Sequence, residues 1–248
     1  MNDYTNIQDH YDRGSYRSSL DSLSGAGLMS NVMTRVYVWM AAALCITAAA
    51  AFLTVSSPTL LSLIFGNSVA IWVLCIAELG LVMAVSAGIN RLKPSTATAL
   101  FLLYALVNGL TLSVIFFAYE LGTIFQAFAA SALTFGAMSF VGATTKKDLS
   151  GLGGLLLMGL IGLVIASVIN IFWANSTMDA IITYVGVFLF VGLTAYDTQK
   201  IKAMTTAAEY SGDAAMPRRI AILGALTLYL DFINLFLYIL RLLGRNRD

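Results

Sequence analysis

The stretch LYLDFINLFLYIL, residues 228–240, decides how this chain is read: it is an apolar run with Asp231 and Asn234 set inside it. Some thirty residues earlier, GLTAYDTQKIK, residues 192–202, closes another apolar run with Asp197. Composition identifies the solvent these runs meet. Of 248 residues, 59% are hydrophobic and 11% charged, and the mean hydropathy is +0.84. Soluble domains carry about 45–50% apolar and about 25% charged residues. Uninterrupted apolar runs recur at roughly the 20 residues that a helix rising about 1.5 Å per residue needs to cross a hydrocarbon core of about 30 Å. The expectation is an all-α membrane protein whose first partner is the lipid bilayer. A net charge of +1 gives no pull towards nucleic acid. Cys45 and Cys75 lie inside apolar runs and form no spaced framework, so neither a disulfide nor a metal pair is expected.

Residues 1–30 are polar, Ser-rich and punctuated by Tyr, Asp and Arg, without the apolar core of a secretory signal. They are expected to form a disordered tail, and residues 31–248 a single seven-helix transmembrane domain. The helices are expected over about 32–55, 69–89, 97–119, 123–142, 152–174, 178–197 and 220–243.

The connections alternate in charge. NRLKP, TTKKDLSG and TQKIKAMTTAAEYSGDAAMPRR hold eight Lys/Arg, whereas SSPTLLSLIFGNS, YELGT and ANSTMD hold none. The positive-inside rule makes the first set cytoplasmic and puts the N-terminus on the same side. Seven crossings then carry RLLGRNRD, with three arginines, to the opposite side. Two readings are open: the tail is tolerated there, or the last segment dips in and returns. Gly80, Ala84 and Gly88, and Gly151, Gly153, Gly154, Gly159 and Gly162 in the fifth helix, are expected to let neighbouring backbones approach.

Asp231 lies about 16 Å along a helix starting at residue 220, near mid-membrane, where a charged aspartate costs about 2.5–3.5 kcal/mol on insertion scales. Gly224, Thr227, Asp231, Asn234 and Tyr238 follow three- and four-residue steps, and this stripe is expected to face protein or water. Asp197 ends its expected helix, where the helix dipole disfavours an anion. It is either a solvated boundary residue or one that turns inward to pair. Glu78 is a third intramembrane carboxylate. Ionisable groups at such depth mark ion routes or proton relays. The neutral Tyr104, Asn108 and Thr111, and Ser167 with Asn170, are expected as interhelical glue.

GLTAYDTQKIK, LYLDFINLFLYILRLLG in the last helix, KKDLS between the fourth and fifth, and NGLTLS in the third resemble the transmembrane Bax inhibitor motif (Bax inhibitor-1-like) family, in particular its bacterial members. The resemblance covers about residues 32–244. It implies seven helices with the last enclosed by the other six, residence in the bacterial cytoplasmic (inner) membrane, and a pH-sensitive calcium leak. That leak would be controlled by two aspartates sharing hydrogen bonds near the cytoplasmic side, which match Asp197 and Asp231. Glu78 matches an acidic position in the family's second helix and, with Asn234 on the polar stripe, is a candidate for the ion pathway. Bacterial relatives place an arginine in the second helix that can latch onto the sixth-helix aspartate; here the first basic residue is Arg91, about two positions later.

Two carboxylates in one low-dielectric site cannot both ionise cheaply, so such a pair would hold one proton and could serve as a switch. Calcium takes six to eight oxygens. Asp197, Asp231 and Glu78 would therefore hold it only weakly, as a permeant ion, and no cofactor is expected.

A second reading is a non-conducting regulator of a membrane protease or other membrane partner, with the tail and residues 199–219 as its handles. An intramembrane aspartyl protease also pairs a Tyr-Asp with an aspartate in the next helix. That class resembles Gly-x-Gly-Asp at the second site with Pro-Ala-Leu beyond; here the second reads YLD and Pro217 is the last proline. His10 is the only histidine, so no His-Glu-x-x-His metal site exists. A retinal protein would need a mid-helix lysine in the seventh segment, which has none. The chain is not expected to be an enzyme.

Overall fold

The computed structural model describes residues 3–209 and 213–245, with the side chains of residues 3–26, 28, 68 and 209 outside the described set. Among the described residues the elements are all helical: α1 (Asp3–Ser56), α2 (Pro58–Phe65), α3 (Ser68–Gly88), α4 (Pro94–Leu112), α5 (Ile115–Ala118), α6 (Leu121–Thr144), α7 (Ser150–Trp173), α8 (Ser176–Glu209) and α9 (Met216–Arg245). Seven stretches are long and apolar enough to cross a membrane: Met29–Ser56, Val69–Gly88, Pro94–Ala118, Leu121–Thr144, Ser150–Trp173, Ser176–Ala208 and Met216–Arg245. The expected tail enters only as the leading part of α1, and its side chains up to residue 26 lie outside the described residues.

The arrangement is concentric. Of α9's most apolar window 72% is buried, against 6% for α3 and for α7. Large apolar side chains such as Trp72, Phe125, Leu133, Phe172 and Phe188 face outward. Such a surface suits lipid and would aggregate in water. The wall around α9 is built chiefly by α8, α1 and α6, with α4 behind and α3 touching only lightly, while α7 packs against α8. Aromatic edges fill the centre: Tyr229 meets Phe101 and Tyr104 at 5.8 and 5.7 Å, and Phe232 meets Phe128 and Phe135 at 5.5 and 5.6 Å between ring centroids. Edge-to-face pairs at these spacings add about 0.5–1.5 kcal/mol each beyond buried area.

Three sequence expectations are corrected. The sixth span does not stop at Asp197; α8 continues to Glu209, three turns further. The segment KIKAMTTAAE is polar enough to leave the bilayer but rich in helix formers, so the membrane boundary falls where no helix boundary does. Asp197 is therefore mid-helix, and the terminal-dipole argument does not apply to it. The connection after the first span contains a helix of its own, α2, with Ser57 as N-cap accepting from Leu60 N at 3.4 Å and Pro58 at the first position. The third span breaks at Ser113, whose hydroxyl bonds back to Leu110 O at 2.6 Å, and resumes as α5.

The glycine expectation is also corrected. A Cβ on Gly80, Gly151, Gly154 or Gly162 would meet nothing within 4 Å, because the faces of the peripheral helices α3 and α7 that carry them are open. Close approaches occur instead at Gly142, against the backbone of Ala195, and at Gly109, where a Cβ would lie 2.5 Å from Thr47 O. Gly153 and Gly159 do pack, against Tyr196 and Leu189 of α8.

The last segment is one continuous helix of 30 residues, which removes the dip-and-return reading. Its far end sits beside the start of α8: Arg241 and Arg245 approach Asp179 at 3.6 and 3.8 Å.

Candidate functional site

Asp231 is carried to the middle of the bundle by α9 and is 5% exposed; Asp197, on α8, is 9% exposed. The inward reading of Asp197 is thus the one the packing realises. α8 and α9 pair more extensively than any other two helices, with Gly224 receiving Ile201 and Gly186 receiving the Tyr238 ring. These two seams, on either side of the aspartates, fix the helices in register. The two carboxyls lie within reach of each other's charge. Lys200, one turn on from Asp197, supplies a positive charge to Asp197, whereas the charge acting on Asp231 is that of Asp197 itself. Asp231 Oδ2 is buried with no hydrogen-bond partner. A buried anionic oxygen without a donor is strongly disfavoured.

Beside Asp197 a chain of hydroxyls joins three helices: Tyr37 OH lies 2.5 Å from Ser139 Oγ, which lies 3.1 Å from Thr198 Oγ1. These residues were not singled out by sequence. Each is one of several hydroxyls on its own helix, and only the fold places these three together.

Glu78 does not join the aspartate pair. It accepts from Thr111 Oγ1 at 2.6 Å and from Asn108. Asn108 Oδ1 in turn accepts from Tyr229 OH at 3.0 Å, and that hydroxyl lies 2.6 Å from Thr47 Oγ1. The expected glue on the third span is realised and extends to α1 and α9. Ser167 instead bonds back to Leu163 O within its own helix, and Asn170 accepts from Asn175 N at the end of that helix. Glu78 opens onto a cavity of about 380 Å³ bounded by Cys75, Tyr104 and Leu230. Among the described residues, no three His, Cys, Asp or Glu converge tightly enough to hold a metal ion.

Arg91 is exposed in the turn after α3 and forms no ion pair with Asp197. Asn234 is half-buried and donates to Leu230 O at 2.8 Å within its own helix. It belongs to the least covered face of α9, where Leu223, Thr227, Leu230 and Asn234 are all only half-buried. That face lies where α3 touches α9 lightly. One end of it meets the Glu78 cavity through Leu230; the other, through Leu223, meets a cavity of about 410 Å³ lined by Asn90, Met204 and Arg219. Asp231, one helical turn from Thr227 and next to Leu230, lies at the level of the Glu78 cavity but is itself buried and lines neither cavity.

The fold and site define an integral membrane protein of seven long apolar helices with two buried aspartates, Asp231 on the central α9 and Asp197 on the adjoining α8. The chain belongs to the family described as inhibitor of apoptosis-promoting Bax1, whose model matches residues 29–248. It is 47% identical over 222 residues to the inner membrane protein YbhL of Escherichia coli K12, covering 90% of this chain and 94% of that one. A Borreliella burgdorferi protein is 42% identical over 221 residues (89% and 94% covered). One from Deinococcus radiodurans is 44% identical over 216 residues (87% and 90%).

Proposed function

We propose that the protein is a pH-sensitive calcium leak of the bacterial inner membrane, gated by Asp197 and Asp231. The observation that carries this reading is the unpartnered, buried Oδ2 of Asp231, with a second buried carboxyl, Asp197, on α8, the helix packed most extensively against α9. A like-charge pair in a site of low dielectric shares a proton. With the proton in place the pair ties α8 to α9; without it, charge repulsion pushes the two helices apart and Lys200 holds only the Asp197 side. The pair is thus a bistable element biased by protonation. The route runs along the half-covered face of α9 beneath α3, from the Arg219 cavity past Asp231 to the cavity at Glu78. Calcium along it meets oxygens from Thr227, Asn234, Glu78 and water in turn, which suits passage and not storage.

The test is flux. Purified protein in liposomes holding a calcium-sensitive dye is expected to leak at a rate that changes between about pH 6 and pH 8. Asp197→Asn and Asp231→Asn each remove one member of the pair and are expected to leave a leak that is flat across that window. A wild-type protein with no flux at any pH would make the chain a non-conducting regulator of a membrane partner. Full pH dependence in both variants would move the sensor elsewhere.

A further inference from the structure

The KKDLS turn plays no part in the proposed gate, yet it is firmly built. The turn lies between the span ending at Thr144 and the one starting at Ser150, level with lipid headgroups if those spans fill the hydrocarbon. The Gln199 side chain clamps it, accepting from Leu149 N at 2.8 Å and donating to Lys147 O at 2.9 Å. Asp148 Oδ1 accepts from Ser150 N at 2.8 Å. On the other flank Lys202 Nζ donates to Ala143 O at 2.9 Å.

Against this turn lies a cavity of about 300 Å³ into which Lys146 and Lys147 come from one side and Lys200 from α8 on the other. Tyr196 forms its floor, held against the bare backbone of Gly153, where a Cβ would lie 2.5 Å from the tyrosine hydroxyl. Lys200 Nζ stands 5.7 Å from the Tyr196 ring centroid. Among the described residues none of the three lysines is in an ion pair. The one carboxylate in the lining, Asp148, is held below the usual carboxylate range by hydrogen bonds from the Ser150 side chain and backbone, so it stays anionic near neutral pH. One carboxylate against three lysines leaves the lining positive, although Lys200 also lends charge to Asp197. The first amides at the start of α7 are already used by Gln199 and Asp148, so what the cavity offers an anion is side-chain charge and the tyrosine hydroxyl.

We propose that this cavity binds a phosphate group, supplied by the headgroup of an anionic phospholipid. Charge complementarity sets the chemistry, since a basic pocket between spans matches a phosphate headgroup. Its level beside two apolar spans makes a lipid the source, with free phosphate as the competing source of the same group. The inference concerns binding alone and stands or falls separately from calcium flux.

The test uses the full chain purified in neutral detergent and native mass spectrometry with phosphatidylglycerol or phosphatidylcholine added. The wild type is expected to retain one phosphatidylglycerol at concentrations where phosphatidylcholine is lost. K146Q/K147Q is expected to weaken that retention by about tenfold or more. K146R/K147R, which keeps the charge and the topology signal, is expected to retain it. Inorganic phosphate is titrated in parallel by calorimetry. Lysine-dependent binding of phosphate, with no preference between the lipids, would keep the site and make free phosphate its source. Equal phosphatidylglycerol retention by the wild type and the Gln pair, or no binding of either phosphate form, would overturn the proposal.

Discussion

Glu78 shows how one residue's role depends on the company the fold gives it. As a sequence position it is a lone carboxylate in an apolar run; in the bundle it accepts from Thr111 and Asn108 and borders a cavity. Glu78→Gln keeps an acceptor oxygen for Thr111 and removes the charge. If Glu78 lines the ion route, the variant is expected to lose calcium flux several-fold in the liposome assay while the pH midpoint, set at the aspartate pair, stays put. Unchanged flux would leave Glu78 as an interhelical tie worth only about 0.6 kcal/mol per bond. The carboxylates themselves were legible, because an ionisable group in an apolar run is conspicuous by its cost. Their partners were not. Tyr229 and Thr47 are 182 positions apart, and nothing in the local pattern of either helix points to the other.

At the scale of the helix, hydropathy locates spans well and helix ends poorly. Hydropathy records where the chain leaves the bilayer, whereas a helix ends where its hydrogen-bond ladder fails. The two coincide at α7, where Ala174 turns left-handed with φ 46°, and diverge at α8, which runs on past Asp197. Small residues are ambiguous in the same way, since a glycine can admit a neighbour or simply face lipid. Gly142 of α6 sits on the backbone of Ala195 of α8, while Gly80 of α3 faces open space. Gly142→Ala is therefore expected to cost about 1–3 kcal/mol through overpacking, and Gly80→Ala to be neutral or to gain up to about 1 kcal/mol of helix propensity. Denaturant unfolding in detergent, followed by circular dichroism, measures both. Equal losses at the two positions would contradict the assignment of α3's Gly80 face to the periphery.

For the molecule as a whole, the remaining question is which way the bundle stands. Arg91 and Lys93 in the turn after α3, Lys146 and Lys147 in the turn after α6, Lys200 and Lys202 in the late part of α8, and Arg218 and Arg219 at the start of α9 gather at one end. The other end carries Arg241 and Arg245, which in sequence look like a contradiction of the positive-inside rule. In the fold they gather round Asp179 at the start of α8, so their charge is partly offset. Exposed pairs of this length are worth about 0–1 kcal/mol, too little to set topology but enough to lessen the penalty of arginines on the translocated side. The lysine-rich end is thus expected to be cytoplasmic. With Cys45 and Cys75 replaced by Ala, Thr177→Cys is expected to react with a membrane-impermeant maleimide from outside intact cells. Thr145→Cys is expected to react only after the membrane is opened. Reaction of both from the same side would break the seven-crossing topology, and exchange of their behaviour would invert the bundle. Inversion would also place the lysine cavity on the outer leaflet and the Arg219 mouth of the proposed ion route outside the cell.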